Sequence, residues 1–487
     1  MFKEYLLQIL SANYEDKMMI FDFDGIEKRY SYAKLLSKLD FQIIRYDDAT
    51  QFRFIYESEI KDNKKKVAVI VDCEQYVPYD FLQSFYGVNL GWVQLFPNLN
   101  REALLKHKTL DLAMLYNAYS GLYENLSEFE KTTSFIRQIV YGKANVEQYI
   151  RELKEEMTVF LKMKDLDFNA WLYIASQKGK AEYLAAKCGA LINLSFVDEE
   201  FKKFVFERYS TLSSLIQKDS PVIVSRVMDH ILKNNAKIAL IVMDGMSVFD
   251  FNVLSEYFDD IDYQEDYIYA MIPTTTAISR QSLLSGKFPV ELTRPFDLSR
   301  EEREFISKAQ AVGYMGKQIC YARGYNPDIG PTIKCLSIIV NDIDDLVHGQ
   351  IQGRFGMYSD INLLAKSGKI QRLIRNLYKQ GFNIYLTSDH GNTLCTGLGS
   401  VKGTGVEVET KSRRMLILKD FAKSKELIEK YDLIEYPGYY LDKQYKYYIC
   451  NNGTSFDVKN SVVMTHGGIS IDEVIVPFIK IKAVRNG

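Results

Sequence analysis

A series of near-continuous apolar runs in the second half of this chain constrains its fold most strongly. They are KIALIVM at 237–243, YIYAMI at 267–272, LSIIV at 336–340, NIYLT at 383–387 and EVIVPFIKI at 473–481. Runs of this kind are typical of strands buried on both faces of a mostly parallel sheet. The segment at 359–380 has the helical period and predicts one crossover helix between two of these strands. The sequence therefore predicts an α/β domain over residues 236–487.

The first 235 residues divide into two further regions. Residues 1–100 carry three short apolar runs, MMIFDF, FQIIRY and KVAVIV, separated by helical stretches, which predicts a small α/β domain. Three carboxylates, Asp22, Asp24 and Asp72, lie at the ends of two of these predicted strands, but they have no partners that would define a site. Residues 101–235 carry apolar residues at three- and four-residue steps, which is typical of packed amphipathic helices.

Composition and charge exclude several classes of protein. Lys and Arg number 61 against 63 Asp and Glu, a net charge of −2, which excludes a strongly basic nucleic-acid coat but not a local basic groove. The six cysteines form no CxxC pair, which favours free thiols in a reducing compartment. No apolar run approaches the roughly 18 residues of a membrane span, and the start lacks a secretory signal. We therefore expect a soluble, cytoplasmic protein without membrane contact.

Polar clusters follow the apolar runs of the α/β domain. They are Asp244-Gly245, Pro273-Thr274-Thr275-Thr276, the stretch from Asn341 to His348, and Asp389-His390, while His466-Gly467-Gly468 precedes the last run. Three of the five histidines fall in these clusters, and the other two, His107 and His230, lie on predicted helices as surface residues. In parallel sheets, sites lie beyond the carboxyl ends of strands. Aspartate and neutral imidazole are common zinc ligands, and carboxylates also suit manganese and magnesium. Because so many carboxylates together are costly without cations, the clusters predict a site for two divalent metals.

These motifs resemble the alkaline phosphatase superfamily. Within it, IPTTTAISRQSLLSGKFP and THGGISIDEVIVPF are typical of the PglZ domain, and the likeness covers residues 237 to the end. The segments IIRYDDATQFRFIYE and LGWVQLFPNL are similar to the region that precedes this domain in PglZ proteins of BREX-type phage-defence systems. The resemblance implies an alkaline-phosphatase-like fold with a mostly parallel central sheet flanked by helices. It also implies a metal-dependent phosphoric-ester hydrolase that prefers phosphodiesters to monoesters.

The resemblance implies roles for seven positions. Thr276 would be the nucleophile, placed at the start of a helix whose N-terminal N–H groups face an incoming phosphate. Two divalent metals, zinc or alternatively manganese or magnesium, would be held by two sets of ligands. The first set is Asp244, Asp389, His390 and the Thr276 oxygen, and the second is Asp344, His348 and His466.

Some residue assignments have competitors. Thr274 and Thr275 are alternative nucleophiles, or simply helix caps, and Thr276 is preferred for its superfamily spacing. Asp342 and Asp345 compete with Asp344, which is preferred because it lies four residues before His348. Ser279 and Arg280 are candidate substrate contacts by their position. For Arg280, the alternative is a structural ion pair, which an Arg one turn into a helix makes more often.

Two functions from different classes fit the sequence. The first is the phosphoric-ester hydrolase, with nucleic acid, nucleotides or phosphorylated small molecules as substrates. Sulfatases of the superfamily need a Cys or Ser nucleophile, which Thr276 does not supply. The second function is a metal-stabilised scaffold that assembles a phage-defence complex around partners such as a DNA methyltransferase. The regions at 1–100 and 101–235 offer the surface for such a role.

Overall fold

The computed structural model describes residues 2–61, 64–107, 110–163, 166–217, 220–232, 236–401, 412–419 and 424–485. Two compact units divide the chain, Met1–Tyr149 and Ile150–Gly487. The three regions inferred from the sequence, at 1–100, 101–235 and 236–487, stay a proposal about domain organisation. In the described ranges, every helix is too short or too polar to cross a bilayer.

The first unit is built on a four-stranded parallel sheet in the order β2-β3-β1-β4. Its strands are β1 (Lys17–Phe21), β2 (Gln42–Arg45), β3 (Val67–Val71) and β4 (Tyr86–Asn89). The first three coincide with the predicted apolar runs, and every residue of the inner strand β3 is buried. The edge strand β4 has the sequence YGVN with one buried residue, Val88, so no apolar pattern indicates it.

Short helices accompany this sheet. They are α1 (Phe2–Ile9), α2 (Ile26–Arg29), α3 (Tyr32–Ser37), α4 (Ala49–Ile55), α5 (Tyr79–Ser84), α6 (Trp92–Leu95), α7 (Arg101–Lys106), α8 (Leu112–Tyr119) and α9 (Phe129–Phe135). Two π-helical segments, Tyr56–Ile60 and Ile136–Val140, continue α4 and α9. Helix α10 (Lys143–Leu161) contains the boundary between the two units.

The second unit contains the long helices and a larger sheet. Its helices are α11 (Phe168–Cys188), α12 (Ser195–Arg208), α13 (Val227–Ile231), α14 (Val248–Ser255), α15 (Thr276–Ser285), α16 (Glu301–Ala311), α17 (Asp342–Gly349), α18 (Gly353–Lys366), α19 (Lys369–Lys379), α20 (Ser424–Tyr431) and α21 (Ile471–Val474). Segments of 3-10 helix are Tyr209–Ser214, Val224–Arg226, Pro289–Glu291, Leu298–Arg300 and Gly316–Gln318.

Six strands form the central sheet in the order β6-β16-β9-β5-β8-β7. They are β5 (Ile238–Met243), β6 (Ile261–Tyr269), β7 (Ile319–Arg323), β8 (Cys335–Val340), β9 (Asn383–Thr387) and β16 (Ile475–Val484). Strands β5, β7, β8 and β9 are parallel, and β16 runs antiparallel between β6 and β9. All residues of β5 and β8 are buried, as their apolar runs require. The predicted α/β class with a mostly parallel central sheet flanked by helices is confirmed.

Two smaller sheets complete this unit. One has the order β14-β10-β15 and the other β11-β13-β12. Their strands are β10 (Thr393–Gly397), β11 (Met415–Leu418), β12 (Ile434–Tyr436), β13 (Lys446–Ile449), β14 (Thr454–Ser455) and β15 (Val462–Thr465). Strand β15 pairs antiparallel with β10, which follows the end of β9 closely. This pairing brings residues after 465 back towards the carboxyl end of β9.

Some predicted elements are wrong in detail. The segment 359–380 is not one crossover helix, because α18 ends at Lys366 and α19 begins at Lys369. Gly368 between them has φ 68°, a left-handed conformation that glycine adopts without strain. The second run, 267–272, contributes to a strand that ends at Tyr269 and starts at Ile261, where half-buried polar residues hide the pattern. Strand β7 escaped prediction because its residues are half-buried or exposed at the sheet edge.

Candidate metal centre

The turn after β5 places the first carboxylate. Asp244 directly follows the strand and is almost completely buried. Gly245 has φ 73°, a left-handed conformation, so the turn favours glycine for its conformation. The Gly245 N–H points at Asp389 Oδ1, 3.3 Å away. This turn therefore brings two aspartates from different loops together.

The turn after β9 supplies two more side chains, Asp389 and His390, both fully buried. Ser388 connects this turn to the turn after β5. The Ser388 Oγ lies 2.7 Å from Met243 O and accepts the Met246 N–H. The Asn392 side-chain amide donates to Gly245 O at 2.8 Å. Since the two strands are hydrogen-bonded neighbours in the sheet, these bonds fix their carboxyl-end turns against each other.

Helix α17 carries the third carboxylate and an imidazole. Asp344 and His348 lie four residues apart, so they occupy one face of the helix. His348 Nε2 is 3.3 Å from Asp344 Oδ2. In the described part of the chain, the clusters with metal-binding geometry contain Asp344 and neither Asp342 nor Asp345.

His466 comes from the turn after β15. Its Nδ1 lies 2.9 Å from the carbonyl oxygen of Thr274, and its Nε2 lies 3.3 Å from Asp344 Oδ1. Its ring stacks on that of His390, with the centroids 4.2 Å apart and the planes 17° from parallel. His107 and His230 are half-buried and belong to neither cluster.

The six side chains form two clusters. We call Asp244, Asp389 and His390 the buried triplet, and Asp344, His348 and His466 the open triplet. In each triplet, one ligand atom from each residue lies within 4.8 Å of the others. The structure thus brings together the same residues, in the same two sets, that the sequence suggested as metal ligands. That they hold metals stays a proposal.

The unpaired atoms of the triplets test whether a cation fits. Asp244 Oδ1, Asp344 Oδ1 and Asp389 Oδ2 are buried without a hydrogen bond. They lie 3.6, 3.3 and 3.9 Å from the nearest imidazole Nε2 atoms. His390 Nδ1 lies 3.0 Å from Gly391 O and His466 Nδ1 lies 2.9 Å from Thr274 O, and carbonyls only accept. In the neutral rings the protons are therefore on Nδ1, and Nε2 lone pairs face carboxylate lone pairs. Such a set of converging acceptors fits divalent cations.

The electrostatics show that the negative charge of the two aspartates in the buried triplet is poorly compensated. Burial raises the pKa of Asp244, although Arg280 opposes the shift, and burial together with the charge of Asp244 raises the pKa of Asp389. Burial also lowers the pKa of His390, so its ring is neutral. Burial acts against protonation of His466 as well, but the neighbouring Asp344 carboxylate raises its pKa to about 9. A cation would replace the protons that these groups otherwise bind.

The three neighbouring threonines have different surroundings. Thr276 is the first residue of α15, and its Oγ1 lies 3.1 Å from His390 Nε2. Thr274 Oγ1 is occupied by the turn after His466, donating to Gly468 O and accepting the Gly467 N–H. Thr275 Oγ1 is buried without a hydrogen bond. Of these hydroxyls, that of Thr276 is the one at the triplets.

The two candidate substrate contacts are both buried in α15. Ser279 Oγ donates to Met271 O at 3.2 Å. Arg280 is 1 % exposed, and its guanidinium lies 2.6 Å from Asp244 Oδ2 and 2.5 Å from Glu301 Oε2. Arg280 therefore binds the oxygen of Asp244 that does not face His390, which matches the alternative of a structural ion pair. A substrate contact by either residue stays a prediction.

Several supporting residues were not predicted. Glu301 accepts hydrogen bonds from Arg280, Tyr321 and Arg323, and nothing in the sequence points to it. Glu473 is fully buried and pairs with the fully buried Arg414 beside the turn after His466. A signal for Glu473 did exist, because Ser470 and Glu473 have the spacing of a capping box, which the structure forms.

Comparisons with known proteins give one matching family model and several similar solved structures. Murine ectonucleotide pyrophosphatase/phosphodiesterase 5 is 13 % identical over 50 % of this chain and 87 % of its own, with a TM-score of 0.38. The human form is 15 % identical over the same shares, with a TM-score of 0.34. Phosphonoacetate hydrolase from Sinorhizobium meliloti 1021, in complex with phosphonoformate, is 10 % identical over 50 % and 90 %, with a TM-score of 0.31. The curated protein sequences give no match.

The family match covers residues 328–481 and is to the BREX system PglZ alkaline phosphatase-like domain. This range contains the open triplet together with Asp389 and His390, while Asp244 and Thr276 precede it. The sequence-based resemblance to the PglZ domain is confirmed. Residues 328–481 of this chain are therefore similar to the BREX system PglZ alkaline phosphatase-like domain.

Proposed function

We propose that this protein is a metal-dependent phosphoric-ester hydrolase that uses Thr276 as its nucleophile and prefers phosphodiesters to monoesters. The observation that carries the proposal is the position of the Thr276 hydroxyl, which lies 3.1 Å from His390 Nε2 where unpaired acceptors of the buried triplet converge. The match to the PglZ alkaline phosphatase-like domain supports the same reaction class. We further propose that the protein acts in the cytoplasm in a BREX-type phage-defence system.

Two divalent cations are part of this proposal. The buried triplet with the Thr276 oxygen would hold one cation and the open triplet the other. Three imidazoles and three carboxylates favour zinc, and manganese and magnesium are the alternatives. When bound, such cations neutralise carboxylates, lower the pKa of a hydroxyl and polarise phosphoryl oxygens.

The residues of this chain would divide the remaining work. Thr276 Oγ1 forms a bond to phosphorus while the bond from phosphorus to the leaving oxygen breaks, giving a phosphothreonine that still carries the other ester group and an alcohol that takes up the hydroxyl proton. The first N–H groups of α15, which have no helical carbonyl partners, are placed to donate to the phosphoryl oxygens. Water then attacks phosphorus, which frees Thr276 and releases a phosphomonoester. Arg280 holds Asp244 with Oδ1 turned towards His390 throughout.

Hydrolysis of bis-p-nitrophenyl phosphate tests this proposal. We expect activity that is lost with EDTA, restored by zinc or manganese, and abolished by Thr276→Ala. Thr276→Ser is the matched control, because it keeps the hydroxyl at the same place and should keep measurable turnover. The p-nitrophenyl monoester, assayed in parallel, should be the poorer substrate.

The opposite result would favour the second function. If the metal-loaded protein and Thr276→Ala are equally inert on monoesters and diesters, the hydrolase proposal fails. The metal-stabilised scaffold, with partners such as a DNA methyltransferase, would then be the remaining candidate. For the hydrolase, we propose phosphoesters of the nucleic-acid and nucleotide class as substrates, with phosphorylated small molecules as the alternative to be assayed beside them.

A further inference from the structure

Thr274 lies between the proposed nucleophile and one of the proposed metal ligands. Its carbonyl oxygen accepts a hydrogen bond from His466 Nδ1 at 2.9 Å. Its hydroxyl accepts the Gly467 N–H at 3.0 Å and points at Gly468 O, 3.1 Å away. The residue is 0 % exposed, so water does not compete for these bonds. One residue therefore holds both the His466 ring and the backbone that follows it.

Glu473 stabilises both Thr274 and the turn after His466. Its Oε1 accepts the Gly468 N–H at 2.8 Å and lies 3.3 Å from Thr274 Oγ1. Its Oε2 accepts the Ser470 N–H and hydroxyl and pairs with Arg414, and both charged side chains are fully buried. A buried carboxylate with this many donors is held rigidly, because losing any one of them leaves a desolvated charge.

The turn after His466 is also closely packed. Gly467 has φ 112°, and a Cβ at this position would overlap Ser412 Oγ. A Cβ on Gly468 would lie 2.9 Å from the Arg414 guanidinium. The hydroxyl of Thr274 connects this turn to the segment that contains Thr276, through its bonds to Gly467 and Gly468.

We propose that Thr274 is a positioning residue that sets the orientation of His466 within the open triplet and couples it to the nucleophile. The inference rests on the proposed function, since it assumes that His466 binds a metal. The Thr274 carbonyl orients the imidazole through its second nitrogen and stays in every side-chain variant, so the hydroxyl acts on His466 through the Gly467 N–H and the turn. Removing the hydroxyl would leave the Gly467 N–H buried without an acceptor, so the turn and its imidazole would relax.

Thr275 provides a matched control. It is the next residue, it is 5 % exposed, and its hydroxyl has no hydrogen bond. Thr275→Val and Thr274→Val therefore make the same chemical change in neighbouring buried positions. They differ in whether a hydrogen bond to the turn after His466 is lost.

The experiment measures zinc stoichiometry and affinity by competition with a chromophoric chelator, on the full chain. For the wild type we expect two zinc ions. Thr274→Val should weaken one of them by roughly tenfold and leave the other unchanged, because a buried N–H left without an acceptor costs free energy on that scale. Thr275→Val and the conservative Thr274→Ser should match the wild type. In a His466→Ala background, which already lacks the ligand, Thr274→Val should have no further effect on the remaining ion.

Each other result has a distinct meaning. Unchanged zinc affinity in Thr274→Val, or equal losses in Thr274→Val and Thr275→Val, or a further loss in the His466→Ala background, would overturn the positioning role. A wild type that binds no divalent metal would instead refute the proposed function itself. Circular dichroism of each metal-free variant checks folding, and Thr274→Ala removes the same hydroxyl if Thr274→Val does not fold.

Discussion

The two triplets lie side by side but differ in burial and in what holds them. In the buried triplet, the side chains of Asp244, Asp389 and His390 are 3 %, 0 % and 0 % exposed. In the open triplet, those of Asp344 and His348 are 16 % and 36 % exposed. The buried triplet comes from the turns after two neighbouring strands of the central sheet, β5 and β9. The open triplet comes from one helix and the turn after a strand of a small sheet.

The two triplets therefore differ in how firmly their side chains are held and in how accessible they are to solvent. The buried triplet is bound into the sheet edge by Ser388 and Asn392, and its Asp244 is paired with a buried guanidinium. The open triplet depends on Thr274 and on the helix face of α17. A cation in the buried triplet would exchange slowly, and one in the open triplet would remain in reach of water and substrate.

The largest expected effect comes from removing the guanidinium of Arg280, which pairs with Asp244 of the buried triplet. Arg280→Met removes the buried guanidinium that pairs with Asp244, and it leaves Glu301 with Tyr321 and Arg323 as its remaining partners. Breaking a buried ion pair from one side typically costs about 3–5 kcal/mol of unfolding free energy. Urea unfolding of the metal-free full chain measures this loss of unfolding free energy in the second unit.

The matched control for this prediction is Arg485→Met. Arg485 pairs with Asp262, but its side chain is 51 % exposed, so we expect a change under about 1 kcal/mol. If both variants lower the unfolding free energy by the same small amount, Arg280 does not stabilise the buried triplet. The two triplets would then not differ in their electrostatic support.

The release of metal should separate the triplets directly. After mixing the zinc-loaded protein with excess chelator, we expect two kinetic phases, because burial shields one set of ligands from water and chelator. His348→Ala should remove the fast phase and leave the slow one. Asp389→Asn, which keeps the shape of the carboxylate but not its charge, should remove the slow phase.

Stopped-flow absorbance of the chelator complex gives both amplitudes. A single phase of two equivalents in the wild type would show that the two sets of ligands exchange metal alike. The reverse assignment, with His348→Ala removing the slow phase, would contradict the order inferred from burial.

The smallest effects concern the helix caps that follow each triplet. Ser247 forms a capping box with Asp250 after the buried triplet, and Ser470 forms one with Glu473 beside the open triplet. Substituting either serine with alanine should lower the unfolding free energy by about 1 kcal/mol. Thermal unfolding of the two variants compares the caps.

Ser359→Ala is the control for these two caps. Ser359 lies exposed inside α18 and donates to Phe355 O, so alanine should be neutral or slightly stabilising there. A cap variant that behaves like Ser359→Ala would show that its capping box contributes little to the turn beside its triplet.

The sequence indicated the site more completely than it indicated the fold around it. The strands β5, β8 and β9 were visible because continuous apolar runs leave few alternatives, and the polar residues at their ends then share one edge of the sheet. Edge strands such as β4 and β7 were missed because half-exposed residues carry no such pattern. The break between α18 and α19 was missed because one glycine in a helical period does not by itself end a helix.

The types of the candidate site residues came from the sequence, and their division into two sets came from its resemblance to the alkaline phosphatase superfamily. Asp-His pairs at strand ends and three threonines before a helix already limited the chemistry to a few candidates. Only the tertiary structure distinguished the three threonine hydroxyls, because their partners, His390 for Thr276 and the turn after His466 for Thr274, are more than one hundred residues away in the chain. It alone also placed Arg280 beneath Asp244, since a buried ion pair is defined by packing and not by spacing.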